Sequence, residues 1–178
     1  EFGGLEDRQR LAFVSVSRGI ALGFDLDSVN PIRVKEETLG EIMDDISDDS
    51  TRWKDFKYLA EKQTRDIASG KCFRRQLVDE KSNKLGCIGA GYFKCRSTEP
   101  FWRHENGKQR LLTPAEHARV KTIDPCLVDG ASDTIAHQIL GNSIVKSAFE
   151  AVFVELGASI KRFVESTYES ETHVFSAA

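Results

Sequence analysis

The side chains of this chain with chemical potential are scattered, and their types and spacing limit what they can do. Cys72, Cys87, Cys95 and Cys126 form no C-x-x-C pair and have no histidine at zinc-finger spacing, so no metal site is expected. Isolated thiols of this kind are expected as small buried side chains. Pro125-Cys126 places a thiol after a proline, but the surroundings that lower a thiol pKa for nucleophilic work are not evident there. Gly86, Gly89 and Gly91 make a G-x-x-G-x-G run. It follows a polar turn and opens no helix, so it is not read as a dinucleotide loop; its glycines permit tight bends or close backbone approach. Charge is distributed unevenly. Residues 36–50 hold Glu36, Glu37, Glu41, Asp44, Asp45, Asp48 and Asp49, whereas residues 94–110 hold Lys94, Arg96, Arg103, His104, Lys108 and Arg110. Only the second stretch is expected to suit phosphates. The net charge of -3 argues against indiscriminate coating of nucleic acid but leaves room for a local basic face.

The elements that must position these groups alternate between helix and strand periods. Arg10 to Ser17 reads as a strand with apolar residues on both faces, which predicts a covered sheet. A buried strand so near the first residue predicts neighbours upstream of Glu1 or in another chain. Thr38 to Ile46 is a short helix candidate through Leu39, Ile42, Met43 and Ile46. Asp48-Asp49-Ser50 offers caps for a helix from about Thr51 to Ser69, with Trp53, Phe56, Leu59, Ala60, Gln63 and Ile67 as its buried stripe and Gly70 at its end. Cys72 to Val78 and Leu85 to Phe93 read as strands around a polar turn. Thr113-Pro114-Ala115-Glu116 is a capping box with proline in the first turn, predicting a helix to about Lys121. Ser132 is placed to cap a helix ending at Gly141. After Asn142 a stripe of Ile144, Val145, Ala148, Phe149, Val152, Leu156, Ile160 and Phe163 predicts a helix of about six turns, fraying after Glu165. No apolar run reaches the ~18 residues that cross a bilayer. The first residues do not read as a signal peptide, and a cytoplasmic location is expected.

Two segments together resemble the cytosine-5 DNA methyltransferases. Arg110-Leu111-Leu112-Thr113-Pro114-Ala115-Glu116-His117-Ala118-Arg119-Val120 is similar to that family's ninth motif, R-x-L-T-x-x-E-x-A-R-L. Gln138-Ile139-Leu140-Gly141-Asn142-Ser143-Ile144-Val145 is similar to the tenth, Q-x-G-N-[SA]-[VI]. A third segment, Phe2-Gly3-Gly4-Leu5-Glu6-Asp7-Arg8-Gln9-Arg10, resembles the eighth motif, F-G-x-P-Q-x-R-x-R, with Leu5 where proline is usual and Glu6 where glutamine is usual. The resemblance runs from end to end, with residues 20–90 matching only as a variable recognition region.

The resemblance implies an α+β chain: a mixed target-recognition domain flanked by segments of an incomplete Rossmann-like methyltransferase domain that uses S-adenosylmethionine. Residues 1–19 would end the catalytic domain, 20–108 form the recognition region, 109–141 the ninth motif and a connector, and 142–178 a helix returning to the catalytic domain. The family's cofactor glycines, Pro-Cys nucleophile and Glu-Asn-Val motif precede the eighth motif, so the chain alone is expected to be inactive and to need an N-terminal catalytic part. By the same resemblance Arg10 holds the O2 edge of a flipped cytosine with Arg8 in support, and Asn142 and Ser143 meet the cofactor. Arg96, Ser97, Thr98 and Arg103 fall where the family places its DNA-reading loops. Double-stranded DNA is the implied partner. The alternatives are a non-catalytic or split-subunit DNA-binding module and a tRNA cytosine-5 methyltransferase relative. On the residues alone, Arg8 and Arg10 are two charges leading into a strand, and Asn142 is a cap of the long helix.

Overall fold

The computed structural model describes residues 2–15, 17, 23–72 and 74–176, with side chains described as far as Tyr168. Among them are five short strands and four α-helices. A parallel pair joins β1 (Glu6–Asp7) to β3 (Leu85–Gly86). A three-stranded sheet runs in the order β2 (Gln76–Val78), β4 (Pro100–Arg103), β5 (Gln109–Arg110), with β2 parallel and β5 antiparallel to β4. The helices are α1 (Lys57–Ala68), α2 (Pro114–Val120), α3 (Asp133–Asn142) and α4 (Lys146–Ser176). This mixed α and β content agrees with the expected class.

One hydrophobic core crosses the chain. Leu5, Leu39, Ile42, Trp53, Val78, Leu85, Ile88, Tyr92, Trp102, Leu112 and Val120 pack together, drawing on the first residues, the middle and α2. Removing such side chains from water supplies the main driving force for folding. A smaller cluster of Ala118, Val128, Ala136 and Leu140 seats α3 on α2.

Local chemistry explains the elements that form as expected. Thr113 Oγ1 accepts from Glu116 N at 3.1 Å while Glu116 Oε2 accepts from Thr113 N at 2.7 Å, closing the capping box of α2. Ser132 caps α3, and Gly70, with φ of 74°, follows α1. Gly141 has a reason beyond conformation: a Cβ there would lie 2.3 Å from the backbone nitrogen of Ala90 and 2.4 Å from the carbonyl carbon of Gly89. The glycine run thus serves a close backbone approach, to α3.

Other expectations are corrected. No strand forms over residues 10–15; Leu11 and Phe13 are 91% and 86% exposed, and Val16 lies outside the described residues. That segment has no ladder partner among the described residues, and an extended chain without one gains nothing from β geometry. The 38–46 segment makes only a 3-10 turn, Leu39–Ile42, behind a Thr38 capping box. α1 starts at Lys57, because Lys54 pairs with Gln109 in an isolated bridge and Trp53 is drawn into the core ahead of the helix. Ala60 and Ile67 are exposed on it. The 72–78 and 85–93 strands shrink to three and two residues, and Tyr92–Lys94 is a 3-10 turn. Asn142 ends α3 and Ser143 is its C-cap, so neither caps α4. α4 continues through Ser176, well past Glu165. Cys72, Cys87 and Cys126 are exposed and Cys95 half-buried, so the thiols are not core side chains. No helix among the described residues is long and apolar enough to cross a membrane.

Candidate functional site

The C-terminal turn of α2 ties together the two ends of the chain. Leu5 N donates to Val120 O at 3.0 Å, Lys146 N to Lys121 O at 2.9 Å, and Ser147 N to Thr122 Oγ1 at 2.8 Å. Three consecutive residues thereby hold both the opening segment and the first turn of α4. Gly4 faces Val145 so closely that a Cβ would lie 2.5 Å from Val145 Cγ1. Between them opens a cleft of about 500 Å³, whose walls include Gly4, Glu6, Arg8, Lys35, Lys84 and Val145. An adjoining, more apolar cleft of about 350 Å³ is bounded by Arg8, Arg10, Val145, Ala148, Phe149 and Val152. The opening arginines and the start of the last helix, far apart in sequence, therefore share one concave surface.

A buried ion cluster fixes the floor of that surface. The Glu6 side chain is wholly buried; its Oε1 accepts from Ile88 N at 2.7 Å and lies 3.5 Å from Arg8 Nη1. Its Oε2 lies 3.1 Å from Lys121 Nζ, which is equally buried. Burial pulls the Lys121 ammonium below the ordinary lysine range, and Glu6 opposes that shift. The Arg8 side chain is only 9% exposed, so Glu6 sets its position. Arg10 is exposed, with Nη1 donating to Gln9 O at 2.6 Å.

The ninth-motif residues build the support. Arg110, 2% exposed, gives Nη1 to Glu116 Oε2 at 2.6 Å and Nη2 to Glu116 Oε1 at 2.7 Å. Its guanidinium also lies 5.0 Å from the Trp53 ring centroid and 5.7 Å from that of Trp102. Glu116 Oε1 takes a further bond from Asp44 N at 2.9 Å. Trp53 and Trp102 are thus anchors of the core, as expected of Trp53.

The structure also assembles groups that sequence reasoning missed. His117 and His137 meet Nδ1 to Nδ1 at 3.0 Å, both buried, with Tyr92 edge-on to each ring. Burial is the main cause that lowers their pKa values, to about 2 for His117 and about 4 for His137. At neutral pH both rings are uncharged, and one Nδ1–H donates to the other's lone pair. Nothing in the spacing of His117 separates it from a surface histidine. The Glu6–Lys121 pair had one visible signal: an acid where a neutral glutamine is usual needs a cation beside it once buried.

The remaining predicted residues fall in two places. Arg96, Ser97 and Thr98 lie in the loop before β4. Ser97 Oγ accepts from Lys62 Nζ at 2.7 Å, Thr98 O accepts from Gln76 Nε2 at 2.8 Å, and the exposed Arg96 packs its guanidinium over Gly91. Arg103 lies at the other end of β4, paired with Asp79 at 3.2 Å in a cleft that also exposes Asp48, Glu80 and Glu105. Cys126 is exposed in a 3-10 turn, and the hydrogen bond and charge of Asp124 push its thiol up, which is unsuited to a thiolate nucleophile. Among the described residues no group of histidine, cysteine or acidic side chains could hold a metal ion.

No protein-family model matches the chain. It is 26% identical over 155 residues to the Type II methyltransferase M1.ScrFI of Lactococcus lactis subsp. cremoris, an alignment covering 85% of this chain and 39% of that protein. The chain thus spans about two-fifths of the length of the curated relative it matches. Among solved structures, the S. pombe Dnmt2 methyltransferase superposes with a TM-score of 0.55 at 16% identity, covering 74% of this chain and 45% of that one. The Entamoeba histolytica methyltransferase EhMeth superposes with a TM-score of 0.52 at 16% identity, covering 72% and 44%. At that identity the likeness is one of fold. By sequence and by fold, then, the resemblance is to the cytosine-5 methyltransferases.

Proposed function

We propose that this chain is the DNA-gripping and cofactor-closing C-terminal portion of a DNA cytosine-5 methyltransferase, completed by an N-terminal part that carries the nucleophilic cysteine. The observation that carries this reading is the convergence of the Arg8–Arg10 segment and the start of α4 on one cleft, clamped by Val120, Lys121 and Thr122. In this reading Glu6 and Lys121 hold Arg8 at the cleft wall, and Arg8 supports Arg10. The exposed, fixed fork of the Arg10 guanidinium suits donation to the O2 of a cytosine turned out of its duplex. Arg96, Ser97 and Thr98 meet the DNA from the loop before β4, and Arg103 does so on release from Asp79.

The residues of the α3–α4 turn fit the polar end of S-adenosylmethionine. The Asn142 amide is exposed and makes no hydrogen bond among the described residues, leaving its donors and acceptor for a ligand. The Ser143 hydroxyl donates to Leu140 O at 2.6 Å and keeps lone pairs to accept. When bound, the cofactor supplies the methyl group. The chain's own contribution is to orient it and to shelter the cleft with the first turns of α4.

The test is transfer of tritiated methyl groups, measured for the chain alone and joined to an N-terminal methyltransferase part carrying the Pro-Cys nucleophile. Transfer to cytosine C5 of duplex DNA is expected from the joined protein, with background counts from the chain alone. Robust transfer by the chain alone, or transfer to tRNA in preference to DNA, would overturn the reading.

A further inference from the structure

A block of surplus positive charge lies outside the loops assigned above. Residues 52–75, which hold α1, carry eight basic side chains against three acidic ones. Read as sequence, α1 is a core helix with a buried stripe. In the structure only Leu59 and Asp66 of α1 are buried, and Lys57 and Arg65 are exposed.

Contacts place this basic segment beside the loop before β4. Tyr58 Oη donates to Cys95 O at 3.4 Å, and Lys62 Nζ reaches Ser97. Arg75 N donates to Gln63 Oε1 at 2.9 Å, and Gln76 Nε2 donates to Thr98 O. The helix, the strand entering β2 and the 94–98 loop thus form one continuous face.

Several cations outside that face are paired. Arg33, Lys84, Arg103 and Arg119 all have carboxylate partners. Lys54, Lys57, Arg65, Arg74, Lys94 and Arg96 are exposed, and none forms an ion pair among the described residues. Glu61 lies one turn from both Lys57 and Arg65, and Glu99 interacts with Arg96, yet the 52–75 segment keeps a surplus of five positive charges, which favours an anion that covers it. A closely spaced row of phosphates is such an anion, and neutralising it releases condensed counterions.

We propose that α1, with Lys57 and Arg65 as its principal contacts, docks on the phosphate backbone of duplex DNA and sets the register in which the 96–98 loop meets it. The inference rests on the DNA reading above and extends it to a helix with no assigned role. Such contacts position the protein along the duplex without specifying sequence.

The test uses the full chain and a fluorescein-labelled 30-base-pair duplex, with binding followed by anisotropy between 50 and 200 mM salt. The double variant Lys57→Ala/Arg65→Ala removes two exposed side chains, and an unchanged urea midpoint verifies its fold. Expected are roughly tenfold or greater weakening and a salt slope shallower by about two units, since each lost phosphate contact removes about 0.9. If this variant binds like the parent while Arg96→Ala weakens binding, the α1 inference is overturned and the DNA reading survives. If the parent binds no duplex, both fail. Tighter binding of tRNA than of duplex overturns the assignment of the face to DNA.

Discussion

Replacing Glu116 by glutamine tests whether the ninth-motif pair is a buried charge pair that organises the core. The carboxylate is fully buried and accepts from four donors: both terminal nitrogens of Arg110, Thr113 N and Asp44 N. Glutamine keeps the shape but turns one acceptor oxygen into a donor, and since each oxygen accepts from two of the four, two donors lose their partner and face another N–H. It also leaves the 2%-exposed Arg110 charge without a counter-ion. Breaking a buried pair from one side costs about 3–5 kcal/mol, which includes the ~1–3 kcal/mol of an orphaned buried donor. With a urea m-value of about 2 kcal/mol/M, the unfolding midpoint should fall by roughly 2 M at unchanged m. Arg110→Met should relieve the Glu116→Gln defect, giving a coupling energy of about 1–3 kcal/mol in the double-mutant cycle. A loss below ~1 kcal/mol for Glu116→Gln, or no coupling to Arg110, would refute the reasoning, because water would then be reaching the pair.

Two further substitutions probe the elements around it. Gly141→Ala presses a methyl against the backbone of Gly89 and Ala90, which cannot swing aside as a side chain can; a loss of about 3 kcal/mol or more is expected in thermal or urea unfolding. The buried histidines make stability fall in acid. Their folded pKa values, about 2 and about 4, lie below the ordinary 6.5, so between those limits the unfolded chain binds more protons. Their contribution is complete above about pH 6.5 and shrinks as pH falls, by roughly 2 kcal/mol per histidine on reaching pH 5. Urea midpoints at pH 7.5 and pH 5 should show the drop, and His137→Asn should remove about half of the histidine share.

What was legible in the sequence followed from whether a short stretch contains its own cause. Thr113, Pro114 and Glu116 start α2 by local hydrogen bonds, and Ser132 starts α3 in the same way, so both were readable. Arg10 to Ser17 has strand-like residues, but a strand is made by its partner, and no ladder forms there. Trp53 and Phe56 match a helical stripe, yet the pairing of Lys54 with Gln109 claims that stretch, a contact 55 positions away that no local pattern reveals. Of the site, the motifs singled out Arg8, Arg10, Asn142 and Ser143. The structure brings the two arginines to the same cleft as Val145, while Asn142 ends one helix instead of opening the next. The Glu6–Lys121 pair and the two histidines depend on burial, which composition and spacing do not encode.

The shared core has a consequence for anyone wishing to transplant residues 20–108 as a unit. Leu5, Leu112 and Val120 complete the packing of that stretch from outside it, and Ile88 N finds its acceptor on Glu6. A graft cut at those boundaries would leave Leu39, Leu85 and Tyr92 facing solvent and one buried amide bereft. Donor and host would have to exchange the opening strand and α2 along with it.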